Sequence, residues 1–260
     1  MQNLSQLMQQ SFLSINKLSE KPYVTIIGYP NATKKQVQLR IAQMKKLGIN
    51  SVSFQGDLKL GSISILGKGY VGIVVLAKRK NKIVAVKIRR SDSQRKEMKS
   101  EAKLLEIANS TGVGPRLITS NKNFMVMEYL DGKKIGLWIR DLKGKGSSSR
   151  LKSVIKKTLE DCYNLDQIGL DHGELSSISK HVIVGKSKTT IIDFESASTK
   201  RRASNVTSAT QGFFIGSGIS KATQKIYKLP SKNKLISALR IYKHKPSRKN
   251  FDALLKILKI

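Results

Sequence analysis

Two acidic residues in the middle of the chain, Glu174 and Asp193, are of the type that catalysis and metal binding use. Glu174 lies in the sequence His-Gly-Glu-Leu, and Asp193 directly follows two isoleucines. Both belong to residues 151–195, where seven acidic residues slightly outnumber six basic ones, although the chain as a whole is strongly basic. Acids kept in such a surrounding indicate a carboxylate site that shares a cation. A chance fluctuation of the local charge is the alternative explanation.

A glycine-rich segment precedes these acids. Gly67, Gly69, Gly72 and Val74 fit the spacing GxGxxGxV. Glycine lets backbone amides approach phosphate oxygens closely. In a dinucleotide-binding fold a helix follows such a loop, whereas extended stretches lie on both sides of this one. The pattern therefore favours a glycine hairpin that covers a nucleotide, and an ordinary hairpin without a ligand is the alternative.

A lysine follows on the next predicted strand. In the run Val84–Lys87 the side chains of Ala85 and Lys87 share one face, because successive strand residues point to opposite sides. A small residue beside the lysine leaves room for a flat base and phosphates. Glu101 lies on the apolar face of the helix predicted next. A carboxylate there needs a partner, and Lys87 is the candidate; the alternative is that Glu101 reaches solvent at the edge of that face.

Taken in order, these motifs resemble the protein kinase superfamily. The order is GxGxxGxV, then VAVK, a helical Glu, Met127-Glu-Tyr-Leu-Asp-Gly132, HGEL and IDFE. The small archaeal-type branches, which are the RIO kinases and the kinase subunit of the KEOPS complex, are the most similar in layout. The stretch EAKLLEIANSTGVGPRLI resembles their helix and turn, and HGEL…HVIV…IIDFESAS resembles their catalytic and metal-binding segment. The motifs extend from Gly67 to Ser198, about half of the chain.

The resemblance implies a nucleotide site for ATP. Lys87 would hold the α- and β-phosphates and pair with Glu101. Met127 would be the gatekeeper, and the backbone at Glu128 and Leu130 would meet the adenine edge. The whole implied site comprises Gly67, Gly69, Gly72, Val74, Ala85, Lys87, Met127, Glu128 and Leu130.

The catalytic and metal-binding positions depart from the family pattern. Glu174 stands where the family has its catalytic aspartate, and Ser179 stands where it has a metal-binding asparagine. Asp193 would bind Mg²⁺ or Mn²⁺, while Glu195 replaces the glycine of the metal motif. Serine is a poorer Mg²⁺ ligand than asparagine, so a second metal would bind weakly. The Lys-His pair after Ser179 either reaches a phosphate or is solvated.

The fold class expected is α+β, a two-lobed protein-kinase-like fold with a reduced C-lobe and an N-terminal β-α-β extension. The predicted domains are residues 1–56 for the extension, 57–130 for the N-lobe and 131–260 for the basic C-lobe. Strands are predicted at 23–28, 51–54, 58–66, 70–78, 82–89, 113–119, 123–129, 182–184 and 189–192. Helices are predicted at 34–47 (with Thr33 as N-cap and Gly48 at its end), 92–109, 151–168, 232–243 and 250–259. Arg79-Lys80-Asn81 reads as a hairpin turn, and 142–149 as a loop.

The charge restricts the partners and the class of protein. The net charge is +32, from 49 basic and 17 acidic residues, and residues 196–260 contain 15 basic residues and one acid. This predicts non-specific contact of the basic C-terminal segment with RNA or another polyanion. A single cysteine, Cys162, cannot form an internal disulfide, which favours the reducing cytoplasm. A membrane span and a secreted disulfide scaffold are not expected, because the sequence shows neither an apolar run of ~18–20 residues nor a signal-peptide pattern.

The implied activity is ATP- and Mg²⁺-dependent phosphorylation of protein serine or threonine, including the protein itself. Three alternatives stay open: a nucleotide-binding pseudokinase within an RNA or protein complex, a RIO-like ATPase, and a small-molecule kinase. Residues 201–208, where an activation segment would lie, place basic residues before Ser204 and Thr207. These hydroxyls are either phosphoacceptors or part of a solvated loop.

Overall fold

The computed structural model describes residues 11–216, 218–228 and 231–260. The chain divides into two compact units. The first unit contains the described part of Met1–Glu106 together with Pro115–Leu130, and the second contains Ile107–Gly114 together with Asp131–Ile260. Each unit has a sheet and helices of its own.

An antiparallel sheet forms the centre of the first unit. The strands of this unit are β1 (Leu13–Ser14), β2 (Ile49–Ser53), β3 (Leu58–Leu60), β4 (Ile63–Ile65), β5 (Gly67–Lys68), β6 (Gly72–Arg79), β7 (Lys82–Arg89), β8 (Leu117–Ser120) and β9 (Phe124–Glu128). The spatial order in the sheet is β1-β2-β6-β7-β9-β8, and β5 pairs with β6. A separate hairpin, β3 with β4, occupies the region predicted as one strand at 58–66.

The turn between β6 and β7 is the predicted hairpin. Arg79 pairs with Lys82 across the two strands. Lys80 and Asn81 form the loop between them, with φ angles of 45° and 61°. Two successive positive φ values are what a tight two-residue turn between twisted strands needs. The register of β6 against β7 is therefore set by this turn.

One face of the sheet belongs to an apolar cluster, and the opposite face carries Lys87. Residues 73, 75 and 77 of β6 and 84, 86 and 88 of β7 belong to one buried apolar cluster. The buried apolar side chains of residues 15–52 belong to the same cluster, so the front of the chain shares the core of the sheet. Strand alternation and register place the remaining side chains on the opposite face. These are Val74, Leu76, Ala85, Lys87, Met125 and Met127.

The predicted strand at 23–28 is wrong, and the front segment is not a β-α-β unit. Residues Val24–Ile27 form a short helix. Ile26 and Ile27 are both buried, and neighbouring residues of a strand would have pointed to opposite faces. A short apolar run fits a strand or a buried helical turn equally well. Packing on the shared core decides for the helix.

The rest of the front segment follows the prediction. The helix Lys34–Lys46 begins after Thr33. The Thr33 hydroxyl accepts a hydrogen bond from the amide of Gln36, and the side-chain oxygen of Gln36 accepts one from the amide of Thr33. This reciprocal capping box satisfies two amides that the first helical turn leaves unpaired. Gly48, with φ of 75°, follows the helix, and β2 then joins the edge of β6.

The helix predicted at 92–109 begins later, at Lys99, and ends at Asn109. Residues 90–95 form a side-chain-stabilised turn instead. Arg90 donates to both carboxylate oxygens of Asp92 at 2.9 and 2.7 Å, and the amide of Arg95 donates to the Ser93 hydroxyl. A Ser side chain that bonds to the nearby backbone competes with helix formation. This explains the shorter helix.

The second unit is mainly helical. Its three-stranded antiparallel sheet consists of β10 (Gly132–Lys134), β11 (Val182–Gly185) and β12 (Thr189–Ile191). The predicted loop 142–149 gives way to a helix from residue 147. The α-helices are Ile135–Asp141, Ser147–Gln167, Ile178–His181, Asn205–Phe214, Gly218–Ile226, Lys232–His244 and Arg248–Leu258, and the short 3-10 turns are Leu175–Ser177 and Phe194–Ser196.

Four of these helices, 135–141, 178–181, 205–214 and 218–226, were not predicted. The helices 135–141 and 205–214 are rich in Gly, Thr and β-branched residues, which have low helix propensity. Burial compensates for this: Val206, Ala209 and Phe213 are completely buried on one side of the 205–214 helix. The chain is thus an α+β protein, as predicted. Among the described residues, no helix combines the length and the hydropathy that crossing a bilayer requires.

Candidate functional site

In the first unit the glycine-rich segment is a hairpin between β5 and β6. Gly67 pairs with Val74, and the amide of Gly69 donates to the carbonyl of Gly72 at 2.8 Å. Tyr70 at the tip is 91% exposed. No helix follows, because β6 continues directly from Gly72. The segment therefore has the strand-loop-strand geometry that distinguishes a nucleotide-covering hairpin from a dinucleotide loop.

Two glycines of the hairpin have different physical reasons to be glycine. A Cβ on Gly72 would lie 2.7 Å from the carbonyl oxygen of Ile88, so the sheet itself excludes a side chain there. A Cβ on Gly67 would meet only the side chain of Val74, at an ordinary 3.6 Å. Packing within the protein does not explain the missing side chain at Gly67. The close approach of a ligand to the backbone would explain it.

Lys87 and Glu101 form a buried ion pair. The Lys87 ammonium lies 2.7 Å from a carboxylate oxygen of Glu101, and the two side chains are 5% and 2% exposed. Lys87 is held on β7, directly across from Val74 of the glycine hairpin strand. The predicted pairing of these two residues is thus present, and it lies on the sheet face opposite the apolar cluster.

The residues predicted to meet the adenine lie at the end of β9. Met127 pairs with Ala85 of β7, so both belong to the face that carries Lys87. The amide of Glu128 donates to the carbonyl of Arg116 at 3.0 Å, and this amide is therefore already used by the sheet edge. Leu130 lies two residues after the end of β9 and is partly exposed. An adenine contact at Glu128 would have to use its carbonyl oxygen.

In the second unit, Glu174 is held on both carboxylate oxygens. One oxygen accepts the hydroxyl of Ser196, and the other lies 3.1 Å from Nε2 of His181. The Glu174 side chain is 39% exposed, whereas that of His181 is 6% exposed. His181 is thus a buried partner of the carboxylate and not a member of a solvated basic pair; the preceding lysine is exposed. Neither Ser196 nor this role of His181 was predicted.

His172 in the same loop is completely buried. Its Nε2 lies 3.1 Å from the carbonyl oxygen of Ile192, and its ring makes edge contacts with the rings of His181 and Phe194. Burial lowers the pKa of His172 to about 4 and also lowers the pKa of His181. Both rings are therefore neutral near pH 7. Because a carbonyl and a carboxylate only accept, Nε2 carries the proton in each ring.

The predicted metal-binding residues Asp193 and Ser179 belong to different elements of the second unit. Asp193 has a left-handed backbone, with φ of 72°, at the start of the turn Phe194–Ser196. Glu195 in that turn is buried. Ser179 lies in the short helix Ile178–His181, close enough to Gly136 that a Cβ there would be 3.0 Å from the Cβ of Ser179. The carboxylates of Asp193 and Glu195 have the oxygen chemistry that Mg²⁺ prefers, so these residues fit the metal that the resemblance implies.

A network that the sequence did not reveal fixes the backbone at His172. The amide of His172 donates to the side chain of Asn205 at 2.8 Å, and Asn205 in turn donates to Asp166 through its own amide and its side chain. The hydroxyl of Tyr242 donates to the other oxygen of Asp166 at 3.0 Å. Burial raises the pKa of Asp166. An acid beside the apolar stripe of the 147–167 helix was the available signal, as it was for Glu101.

The start of the predicted activation segment is also tied to this loop. Arg201 donates to the carboxylate of Asp171 at 2.8 Å and to the carbonyl of Ser196. Gly173 has φ of 87°, and a Cβ on it would lie 2.8 Å from the carbonyl oxygen of Ser196. This crowding explains the glycine in the HGE motif. Thr207 is buried in the 205–214 helix, so this part is not a solvated loop.

Comparison with known proteins agrees with this layout. The family model described as RIO domain matches residues 75–207, just over half of the chain. The matched range includes Lys87, Glu101, Glu174 and Asp193, and it begins one residue after Val74. The uncharacterized protein MJ1211 of Methanocaldococcus jannaschii is 29% identical over 99 residues, which cover 38% of this chain and 81% of that protein. The chain belongs to the RIO domain family, a protein-kinase-like family of atypical kinases and ATPases.

Proposed function

We propose that the protein is an ATP- and Mg²⁺-dependent phosphotransferase that phosphorylates serine or threonine side chains of proteins, including side chains of its own chain. The observation that carries this proposal is the buried Lys87–Glu101 ion pair at 2.7 Å. Burying two charges is costly, and a fixed ammonium beside a glycine hairpin is suited to neutralising nucleotide phosphates. The family membership supports the same class of chemistry.

The proposed roles follow from the chemistry of each group. Lys87, oriented by Glu101, holds phosphate oxygens, and the open backbone at Gly67 lets them come close. Asp193 and Glu195 hold Mg²⁺, which supplies charge neutralisation when bound. Glu174 accepts the proton of the acceptor hydroxyl, because a carboxylate held by Ser196 and His181 has a defined direction.

Transfer of labelled γ-phosphate from ATP tests the proposal. The purified protein is incubated with Mg²⁺ or Mn²⁺, with and without generic protein acceptors, and labelled protein and free phosphate are measured separately. Asp193→Asn should lower Mg²⁺-dependent nucleotide affinity and turnover together. Glu174→Gln should leave affinity nearly intact and lower turnover by ~10²–10⁴-fold. Turnover that is unchanged in both variants would remove the kinase mechanism.

A RIO-like ATPase or a nucleotide-binding pseudokinase is the second candidate. It is favoured by the engagement of both Glu174 oxygens with Ser196 and His181, and by serine at position 179. Free phosphate without labelled protein would identify the ATPase. Nucleotide binding without turnover would identify the pseudokinase.

We also propose that the second unit contacts RNA or another polyanion without sequence specificity. All fifteen lysine and arginine side chains of residues 196–260 are exposed. An exposed array of cations attracts phosphate backbones at low salt. A cytoplasmic location, where such polyanions and ATP are abundant, completes the proposal.

A further inference from the structure

Tyr29 lies between two cations at the base of the glycine hairpin. The Lys68 ammonium is 4.9 Å from the centre of the Tyr29 ring, and the Arg90 guanidinium is 5.2 Å from it. Lys68 belongs to β5 of the hairpin, and Arg90 directly follows β7. Both distances are within the range of cation–π attraction. One ring of the front segment thus contacts a residue from each of two chain segments beside the hairpin.

The backbone around Tyr29 is fixed by hydrogen bonds to the segment after β7. The amide of Ser91 donates to the carbonyl of Tyr29 at 2.7 Å, and the Ser91 hydroxyl donates to the same oxygen at 3.1 Å. The amide of Asn31 donates to the Ser91 hydroxyl at 3.2 Å. The backbone of Tyr29 is therefore fixed independently of the two cation contacts of its ring.

Arg90 continues this connection into the hairpin. Its amide donates to the carbonyl of Val71 at 2.8 Å, and its guanidinium lies 3.4 Å from the carbonyl of Gly69. The Asp92 carboxylate binds the opposite side of the guanidinium. Tyr29, Arg90 and the hairpin backbone thus form a continuous series of contacts that ends between the glycines.

We propose that Tyr29 is a positioning residue that holds the glycine hairpin in its nucleotide-binding conformation. The hairpin needs such support because β5 is two residues long and the tip at Tyr70 is 91% exposed. A short glycine hairpin has much backbone entropy to lose when it covers a ligand. Ordering it beforehand removes part of that loss from the binding step. The part of this proposal that concerns ATP rests on the proposed function.

The test compares three variants of the full chain. Tyr29→Leu removes the ring, Tyr29→Phe keeps the ring face, and Tyr23→Leu is the matched control. Tyr23 stacks on Phe54 at 5.2 Å in the same front segment but does not meet the hairpin cations. Amide hydrogen exchange of residues 66–72 is measured without nucleotide, and KM for ATP and kcat are measured with it.

Tyr29→Leu should raise exchange in residues 66–72 and raise KM for ATP by ~3- to 10-fold with kcat nearly unchanged, the size expected for the loss of one or two cation–π contacts. Tyr29→Phe should leave both the exchange in residues 66–72 and the KM for ATP near those of the unmodified protein. Tyr23→Leu should lower the Tm and leave both values near those of the unmodified protein.

Two results would overturn the positioning role. One is normal exchange and normal KM in Tyr29→Leu; the other is the same rise in Tyr23→Leu, which would indicate a general weakening of the front segment. Failure of the proposed function is recognised separately. Lys87→Met would then leave nucleotide affinity unchanged, while exchange in the nucleotide-free protein would still decide the role of Tyr29.

Discussion

The Lys87–Glu101 pair is expensive to keep at a buried position. Removing two charges from water costs several kcal/mol per ion, and their mutual attraction repays this only in good geometry. An apolar pair of similar volume would often be as stable or more stable. The retention of two charges at 2.7 Å on the face opposite the core therefore needs a reason other than stability. Binding a phosphate is such a reason.

Substitutions at these two residues should therefore affect stability and nucleotide affinity differently. Lys87→Met leaves the Glu101 carboxylate buried without its ammonium, so the free energy of unfolding should fall by about 3–5 kcal/mol. Lys87→Met combined with Glu101→Gln should recover most of that loss but none of the nucleotide affinity. Urea unfolding and ATP-binding titrations measure the two quantities. Recovery of affinity in the double variant would show that Lys87 does not hold the nucleotide.

Gly72 and Gly67 differ in how closely the protein packs around them, so they should respond differently to alanine. Gly72→Ala should lower the Tm, because the new Cβ would meet the Ile88 carbonyl at 2.7 Å. Gly67→Ala has room, with its nearest neighbour at 3.6 Å, so it should leave the Tm nearly unchanged and weaken ATP binding. Thermal unfolding and ATP titration of both variants test this. The reverse pattern would mean that Gly67 is an ordinary hairpin glycine.

At the scale of elements, the loop from His172 to Glu174 depends on neutral histidines. The pKa of His172 is lowered to about 4 by burial, with a smaller lowering from His181 that the nearby carboxylates of Asp193 and Glu174 oppose. In the unfolded chain the pKa of a histidine is about 6.5. Above pH 6.5 neither state binds the proton. Between 6.5 and 4 only the unfolded state does, so stability falls as the pH falls.

We therefore expect the free energy of unfolding to decrease by about 1.4 kcal/mol per pH unit for this one proton as the pH is lowered from 6 towards 4. His172→Gln cannot titrate, yet it can still donate to the Ile192 carbonyl, and its pH dependence should be flatter. Urea unfolding of both proteins at pH 7.5, 6 and 5 measures the difference. Equal slopes would place the acid sensitivity elsewhere in the protein.

The elements that the sequence predicted well are those with strong local signals. The N-cap at Thr33, the alternation in β7 and the turn at Lys80-Asn81 each depend on residues within a few positions of one another. The Lys87–Glu101 pair was accessible for a similar reason, since strand and helix periodicity place each side chain on a defined face. The order of the motifs along the chain indicated the family.

The missed elements depend on contacts that are distant in sequence. Residues 24–27 are helical because both isoleucines enter the core that they share with the sheet. The 205–214 helix has weak propensity, and it begins at Asn205, whose amide donates to Asp166, 39 residues earlier. The partners of Glu174 are separated from it by seven and 22 positions. Single-residue patterns carry no information on such pairings.

For the whole molecule, the charge is the dominant physical fact. With a net charge of +32, the protein repels itself and attracts polyanions. Two of the exposed cations in residues 196–260 form ion pairs: Arg201 pairs with Asp171, and Arg248 pairs with Glu160 and Asp252. Along the helix Lys232–His244, by contrast, four cations are exposed and no ion pair to them is present among the described residues: Lys232, Lys234, Arg240 and Lys243.

The cations of the 232–244 helix should therefore contribute more to RNA binding than an arginine that already forms ion pairs. Replacing the four cations of the 232–244 helix with glutamine should weaken binding to a single-stranded RNA of mixed sequence and reduce the salt slope. Each phosphate contact contributes about 0.7 to that slope on single strands, so the loss of four contacts would lower it by up to about 3. Fluorescence titrations at several salt concentrations measure it. Arg248→Gln is the matched control, because this arginine already pairs with two carboxylates and should change the slope little. An unchanged slope in the fourfold variant, or binding that does not respond to salt, would mean that these lysines and arginines serve solubility alone.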